Sequence, residues 1–197
     1  MTAPPPSVER LREALIVNRC GVDGPLTSDA AATRVAEVAM SRAAGGPIAL
    51  PTRDAGVAAL ELDSRLGALG AHLLHPDDPD WHDRLPGAAV GVTSCAVAVA
   101  ATGTLAMVAG PGCPRATSLV PAAHICIVRV ADVVDELADA IARFAAGPLP
   151  SAVSWVGGPS RTSDLEMRTT FGVHGPKTVD VVIFSADSAD SAGTLAE

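Results

Sequence analysis

Two hydrophobic rhythms divide the chain near residue 88. Before it, apolar residues recur three and four positions apart, the spacing of helices with one buried face. Val8, Leu11 and Leu15 follow Ser7, a predicted N-cap. Thr27-Ser28-Asp29 opens a second predicted helix with Val35, Val38 and Ala39 on one side, stopped by Gly45-Gly46-Pro47. A third helix follows Asp54 and carries Leu62, Leu66 and Leu69. His75-Pro76-Asp77-Asp78-Pro79-Asp80 reads as a loop.

After residue 88, short apolar runs alternate with helical segments, the pattern of βα units around a mostly parallel sheet. The runs are 88–92, 104–108, 124–128, 152–156 and 179–184. Between the third and fourth, Asp132 is a predicted N-cap with Asp135 and Glu136 in the first turn. Val134, Leu137, Ile141 and Phe144 form the expected buried stripe, and Gly147-Pro148 the stop. The expected organisation is a helical part of the same domain over 1–87, an α/β core over 88–184 and a flexible tail over 185–197.

Composition narrows the function. The net charge of −8 and the single lysine, Lys177, argue against nucleic acid or an anionic membrane as partner. The absence of tyrosine removes most of a base-stacking platform. No run approaches the ~20 apolar residues of a membrane span, and the start Met1-Thr2-Ala3-Pro4 lacks the basic and apolar parts of a secretory signal, so a cytoplasmic protein is expected. Cys20, Cys95, Cys113 and Cys126 are dispersed and read as reduced thiols. Neither a metal nor another cofactor is expected from them.

Three glycine-bearing loops carry the candidate chemistry, because ligands of doubly wound sheets sit beyond the carboxyl ends of strands. Thr102, Gly103 and Thr104 offer two hydroxyls around a close-approach glycine. Gly110, Gly112 and Arg115, with Ser118 beyond, place a guanidinium near a predicted short helix opened by Pro114. Gly158, Ser160, Arg161 and Thr162 precede a helix expected to start near Asp164, where Ser163 and Glu166 fit a capping box. Together these residues predict a receptor for a small anion, a carboxylate or phosphate, with Arg115 and Arg161 converging on it. Glu166 and His174 are the candidates for proton transfer, each with a structural alternative as a helix cap or terminator.

Gly91-Val92-Thr93, Thr102-Gly103-Thr104-Leu105, Gly110-Pro111-Gly112 with Pro114-Arg115, Gly158-Pro159-Ser160-Arg161-Thr162-Ser163-Asp164-Leu165-Glu166 and Gly172-Val173-His174-Gly175-Pro176 form an ordered set. The set resembles the LUD-domain family, of the lactate utilization protein C kind. The resemblance implies a three-layer α/β/α sandwich of the NagB/RpiA/CoA-transferase-like type. It also implies a part in bacterial oxidation of L-lactate to pyruvate, beside iron–sulfur partner proteins that hold the redox centres. Two departures concern catalysis: Ala101 and Ala96 stand where the family usually has acidic residues. The alternatives are an enzyme acting on a CoA thioester or phosphorylated small molecule, by fold analogy, and an inactive regulatory paralogue. The sequence leaves the oligomeric state open.

Overall fold

In the computed structural model, residues 4–163, 169–171 and 175–186 are described. The strands are β1 (Gly21–Thr27), β2 (Ile48–Ala49), β3 (Leu73–Leu74), β4 (Val90–Ser94), β5 (Val97–Val99), β6 (Thr104–Ala109), β7 (Ala123–Arg129), β8 (Val133–Val134), β9 (Ala152–Val156), β10 (Arg161–Ser163), β11 (Thr169–Phe171) and β12 (Thr178–Ser185). The helices are α1 (Pro6–Val17), α2 (Ser28–Ala43), α3 (Ala55–Ala59), α4 (Leu62–Ala68), α5 (Trp81–Arg84), α6 (Ala116–Leu119) and α7 (Leu137–Ala145).

Six strands form a parallel sheet in the order β1-β12-β7-β4-β2-β3. The apolar runs at 124–128 and 179–184 are its central strands, covered on both faces as their unbroken hydrophobicity requires. One face, with Val90, Val92, Ile125, Ile127, Val182 and Phe184, packs on α2 through Ala31, Val35 and Ala39. The other, with Cys126, Val128, Val181 and Ile183, packs on Val8, Leu11 and Leu15 of α1 and on Ala98, Leu105 and Met107. The result is the layered α/β architecture that the alternation predicts.

The last three of those residues belong to a second sheet, β8-β5-β6-β9, and here expectation and structure part. The runs at 104–108 and 152–156 do not join the parallel sheet; β6 pairs antiparallel with both β5 and β9. The connection explains it. Only four residues separate Val99 from Thr104, and a parallel return needs a crossover of a dozen residues or more.

The first 87 residues, predicted to be helical, also supply β1, β2 and β3. The strand β1, Gly-Val-Asp-Gly-Pro-Leu-Thr, hides in the sequence because its register breaks between Asp23 and Leu26, around Gly24-Pro25. As an edge strand it tolerates the proline. The N-cap of α2 is Thr27, whose side chain accepts from Ala30 N. The predicted third helix is two short ones, α3 and α4, parted at Leu60-Glu61, and Leu69 is exposed rather than buried.

Three further helix expectations are corrected. The N-cap of α1 is Pro5 and no side chain caps it, so Ser7 lies within the first turn. The N-cap of α7 is Glu136, in a capping box with Asp139. Asp132 is instead buried between Arg129 (2.7 Å) and Arg143 (3.5 Å). Ala140 is the residue that α7 buries on Val97, Val99 and Ala106, while Leu137 and Ile141 stay exposed. The helix start expected near Asp164 lies outside the described residues; on either side of it β10 and β11 pair antiparallel, Ser163 opposite Thr169. The predicted frayed tail lies, beyond residue 186, outside the described residues.

Candidate functional site

At the carboxyl edge of the parallel sheet, Asp54 follows β2 and reaches the end of β4. Its Oδ1 accepts from Gly56 N and Val57 N, both at 3.0 Å, capping α3. The same carboxylate accepts from Ser94 Oγ at 2.6 Å and Ser94 N at 2.8 Å. Asp54 is 8% exposed, and these four donors satisfy it. It is a fully engaged anchor, and it determines what Ser94 presents to its surroundings.

Ser94 lines a small cavity with Thr93, Cys113, Arg115, Ser118 and Ser154 among its walls. The cavity measures about 10 Å³, close to one water-sized sphere. The cavity is too small for anything larger than a water, and at its mouth Arg115 is exposed. The walls differ in the donors and acceptors they present. Ser94 Oγ already donates to Asp54, and Ser118 Oγ donates to Arg115 O at 3.0 Å. Each hydroxyl has one proton, so both serines have only lone pairs left to offer. Arg115 carries no ion pair among the described residues and supplies permanent donors.

The other walls are neutral. Burial, assisted by the charge of Asp54, pushes the Cys113 thiol up to about 12, so it is protonated at neutral pH. Behind Thr93 stands His124, 1% exposed, its Nε2 2.9 Å from Thr93 Oγ1. Burial drives this imidazole down to about 4, which keeps it uncharged.

The three glycine loops of the sequence reading separate into two places. The loop with Gly110, Gly112 and Arg115 belongs to the cavity. Gly110 and Cys113 bridge each other, and Gly112 O accepts from Thr52 N at 2.8 Å, tying the loop to the segment after β2. A Cβ on Gly112 would lie 2.8 Å from Arg53 Cγ, so this glycine admits the Arg53 stem. The helix that follows, α6, has only four residues, so its dipole adds little.

The other two loops meet at the end of α1. Asn18 Nδ2 donates to Thr102 O at 2.8 Å, and a Cβ on Gly103 would lie 2.9 Å from Ala14 C. Thr102 and Thr104 bond each other through their hydroxyls at 2.8 Å. A Cβ on Gly158 would come 2.5 Å from Asn18 O. Ser160 N donates to Pro176 O, just before β12 begins, and Arg161 lies close enough to Cys20, just before β1, for its charge to act on that thiol. Arg161 thus lies at the amino edge of the sheet and Arg115 at the carboxyl edge, and the expected convergence of the two is absent. In Thr162 only the backbone, within β10, is described; Glu166 and His174 lie outside the described residues.

Asp54, Ser94 and Ser154 belong to this candidate site and are not among the residues the motifs single out. Asp54 was legible only as a helix opener. The signal for more was the short apolar run Ile48-Ala49-Leu50 with polar Thr52-Arg53-Asp54 behind it, a strand-to-helix turn.

A family model for the LUD domain matches residues 68–184. Lactate utilization protein C of Deinococcus radiodurans is 36% identical over 118 residues, which are 58% of this chain and 55% of that protein. Lactate utilization protein C of Shouchella clausii is 31% identical over 120 residues, 55% of this chain and 52% of that one. The chain therefore spans about half the length of these curated relatives. The crystal structure of a duf162 family protein from Deinococcus radiodurans superposes with a TM-score of 0.66, covering 90% of this chain and 96% of that one. At 21% identity this likeness speaks for the fold alone.

Proposed function

Since this chain belongs to the LUD-domain family, we propose that it serves in lactate utilization, and that it binds a small hydroxy-carboxylate at the mouth of the cavity beside Ser94. The names of its relatives support the first half. The sorting of donors and acceptors in the cavity carries the second. A carboxylate needs donors, and the guanidinium of Arg115, which has no ion pair among the described residues, supplies them. A hydroxyl needs an acceptor for its proton, and Ser94 Oγ and Ser118 Oγ have lone pairs but no free proton. A 2-hydroxy acid satisfies both kinds of wall at once, whereas a plain carboxylate or a fully ionised phosphate leaves the serine lone pairs unmatched. Oxidation of the bound ligand falls, in this reading, to iron–sulfur partner proteins, as the family resemblance implies.

Thermal-shift titration with L-lactate, propionate and inorganic phosphate tests the ligand. L-lactate is expected to stabilise the protein more than propionate, which differs by the hydroxyl, and Arg115→Ala to remove the effect. Equal shifts for lactate and propionate, or none for any of them, would refute the assignment. Unimpaired growth on lactate after deletion of the gene would refute the cellular role.

A further inference from the structure

Exposed apolar surface gathers where the second sheet ends. Leu137, Ile141, Leu149 and Trp155 are 46, 55, 80 and 42% exposed, and they come from α7, β9 and the link between them. The ring of Phe144 meets that of Trp155 edge to face, with centroids 5.8 Å apart, and joins helix to strand. Trp155 sits opposite Ala106 of β6, so it shares the sheet face that carries Val97, Val99 and α7.

The strand β9 is the last of its sheet. It pairs with β6 along its whole length, and among the described residues no backbone hydrogen bond reaches Ala152–Val156 from the other side. Such an edge is a template for a further strand, and proteins normally block it with charge, proline or a covering element. Here Ala-Val-Ser-Trp-Val has neither charge nor proline, and no charged residue occurs from Phe144 to Ser160. Two molecules that each carry −8 repel through their acidic surfaces. At this uncharged edge they can approach without bringing like charges together.

We infer that β9 is a homodimer edge: two copies of this chain pair β9 with β9 antiparallel about a two-fold axis near Ser154. The pairing joins the two four-stranded sheets into one. An axis normal to the sheet keeps both α7 helices and both Trp155 rings on the same face, where they cover each other. The register places Val153 opposite the partner's Trp155 and Ala152 opposite the partner's Val156, a β-branched and aromatic pairing of the favourable kind. The self-complementarity of this neutral segment selects a second copy over an extended segment of another protein.

Light scattering after size exclusion and sedimentation equilibrium of the full chain test the inference. The protein is expected to be a dimer that dissociates on dilution. Ile141→Lys and Trp155→Lys are each expected to halve the measured mass. Ile141 stands on the exposed side of its helix, so the first variant keeps its circular dichroism spectrum. In the unaltered protein, hydrogen exchange at the amides of 152–156 is expected to slow as concentration rises, a readout that needs no variant. A monomer at every concentration overturns the inference, including one that captures an extended peptide instead. So does a dimer indifferent to both substitutions, or one whose β9 amides exchange as fast as those of the monomer.

Discussion

Asp54 holds Ser94 by both of its carboxylate oxygens, Oγ to Oδ1 at 2.6 Å and N to Oδ2 at 2.8 Å, across forty residues of sequence. The contact clamps the turn after β2 to the end of β4. It also uses up the Ser94 proton, which makes that hydroxyl an acceptor toward the cavity. Asp54→Asn puts an amide where Ser94 needs acceptors on both sides. It is expected to lose about 3 kcal/mol of stability, since hydrogen bonds to charged groups are worth ~1.5–3 kcal/mol each. Urea denaturation measures the loss, and a change under ~1 kcal/mol would contradict the clamp.

Arg115 and Arg161 lie at opposite edges of the sheet, so their substitutions should differ in effect. Both side chains are exposed, so alanine at either position should alter stability by no more than ~0.5 kcal/mol. Arg115→Ala is expected to abolish the lactate-induced thermal shift, and Arg161→Ala to leave it intact. If Arg161→Ala also removes the shift, the two guanidinium groups act together after all.

The buried imidazole of His124 makes stability depend on pH. Its value falls from 6.5 to about 4 on folding, because burial disfavours the charged form. Between those values the unfolded chain binds more protons than the native one, so stability rises with pH. The contribution is complete above pH 6.5 and is lost as the pH falls toward 4, by roughly 3 kcal/mol in all. Denaturation curves across that window should show the slope, and His124→Gln should flatten it. An equal slope in the variant would assign the dependence to other groups.

Gly91 opens the Gly-Val-Thr motif for a packing reason. A Cβ there would lie 1.8 Å from Thr117 O and 3.0 Å from Thr117 C, both backbone atoms of α6. Gly91→Ala must therefore push α6 away, and with it the neighbouring Arg115 and Ser118. The expected cost is about 3 kcal/mol, the upper end of ordinary overpacking, together with weakened lactate binding. Thermal melts and the lactate titration measure both, and full binding by a stable variant would show that α6 has room to move.

The sequence alone determined the strongly periodic elements and the family, but not β1 to β3 or the break between α3 and α4. Ala152–Val156 was legible to the residue as a strand, α2 was legible from its period and its Thr27-Ser28-Asp29 opening, and the glycine motifs carried the kinship. These signals depend on neighbours a few positions apart, which is the range over which propensity and capping act. Which strands share a sheet, and where each loop arrives, was decided by tertiary structure. The short turn between β5 and β6 turned a parallel expectation into a second, antiparallel sheet. The seat of Asn18 drew Gly103 and Gly158 to the amino edge, while Asp54 reached Ser94 at the other. Those outcomes depend on side chains that meet only after the sheet has closed, and a strand's own residues record that it will pair, not with what.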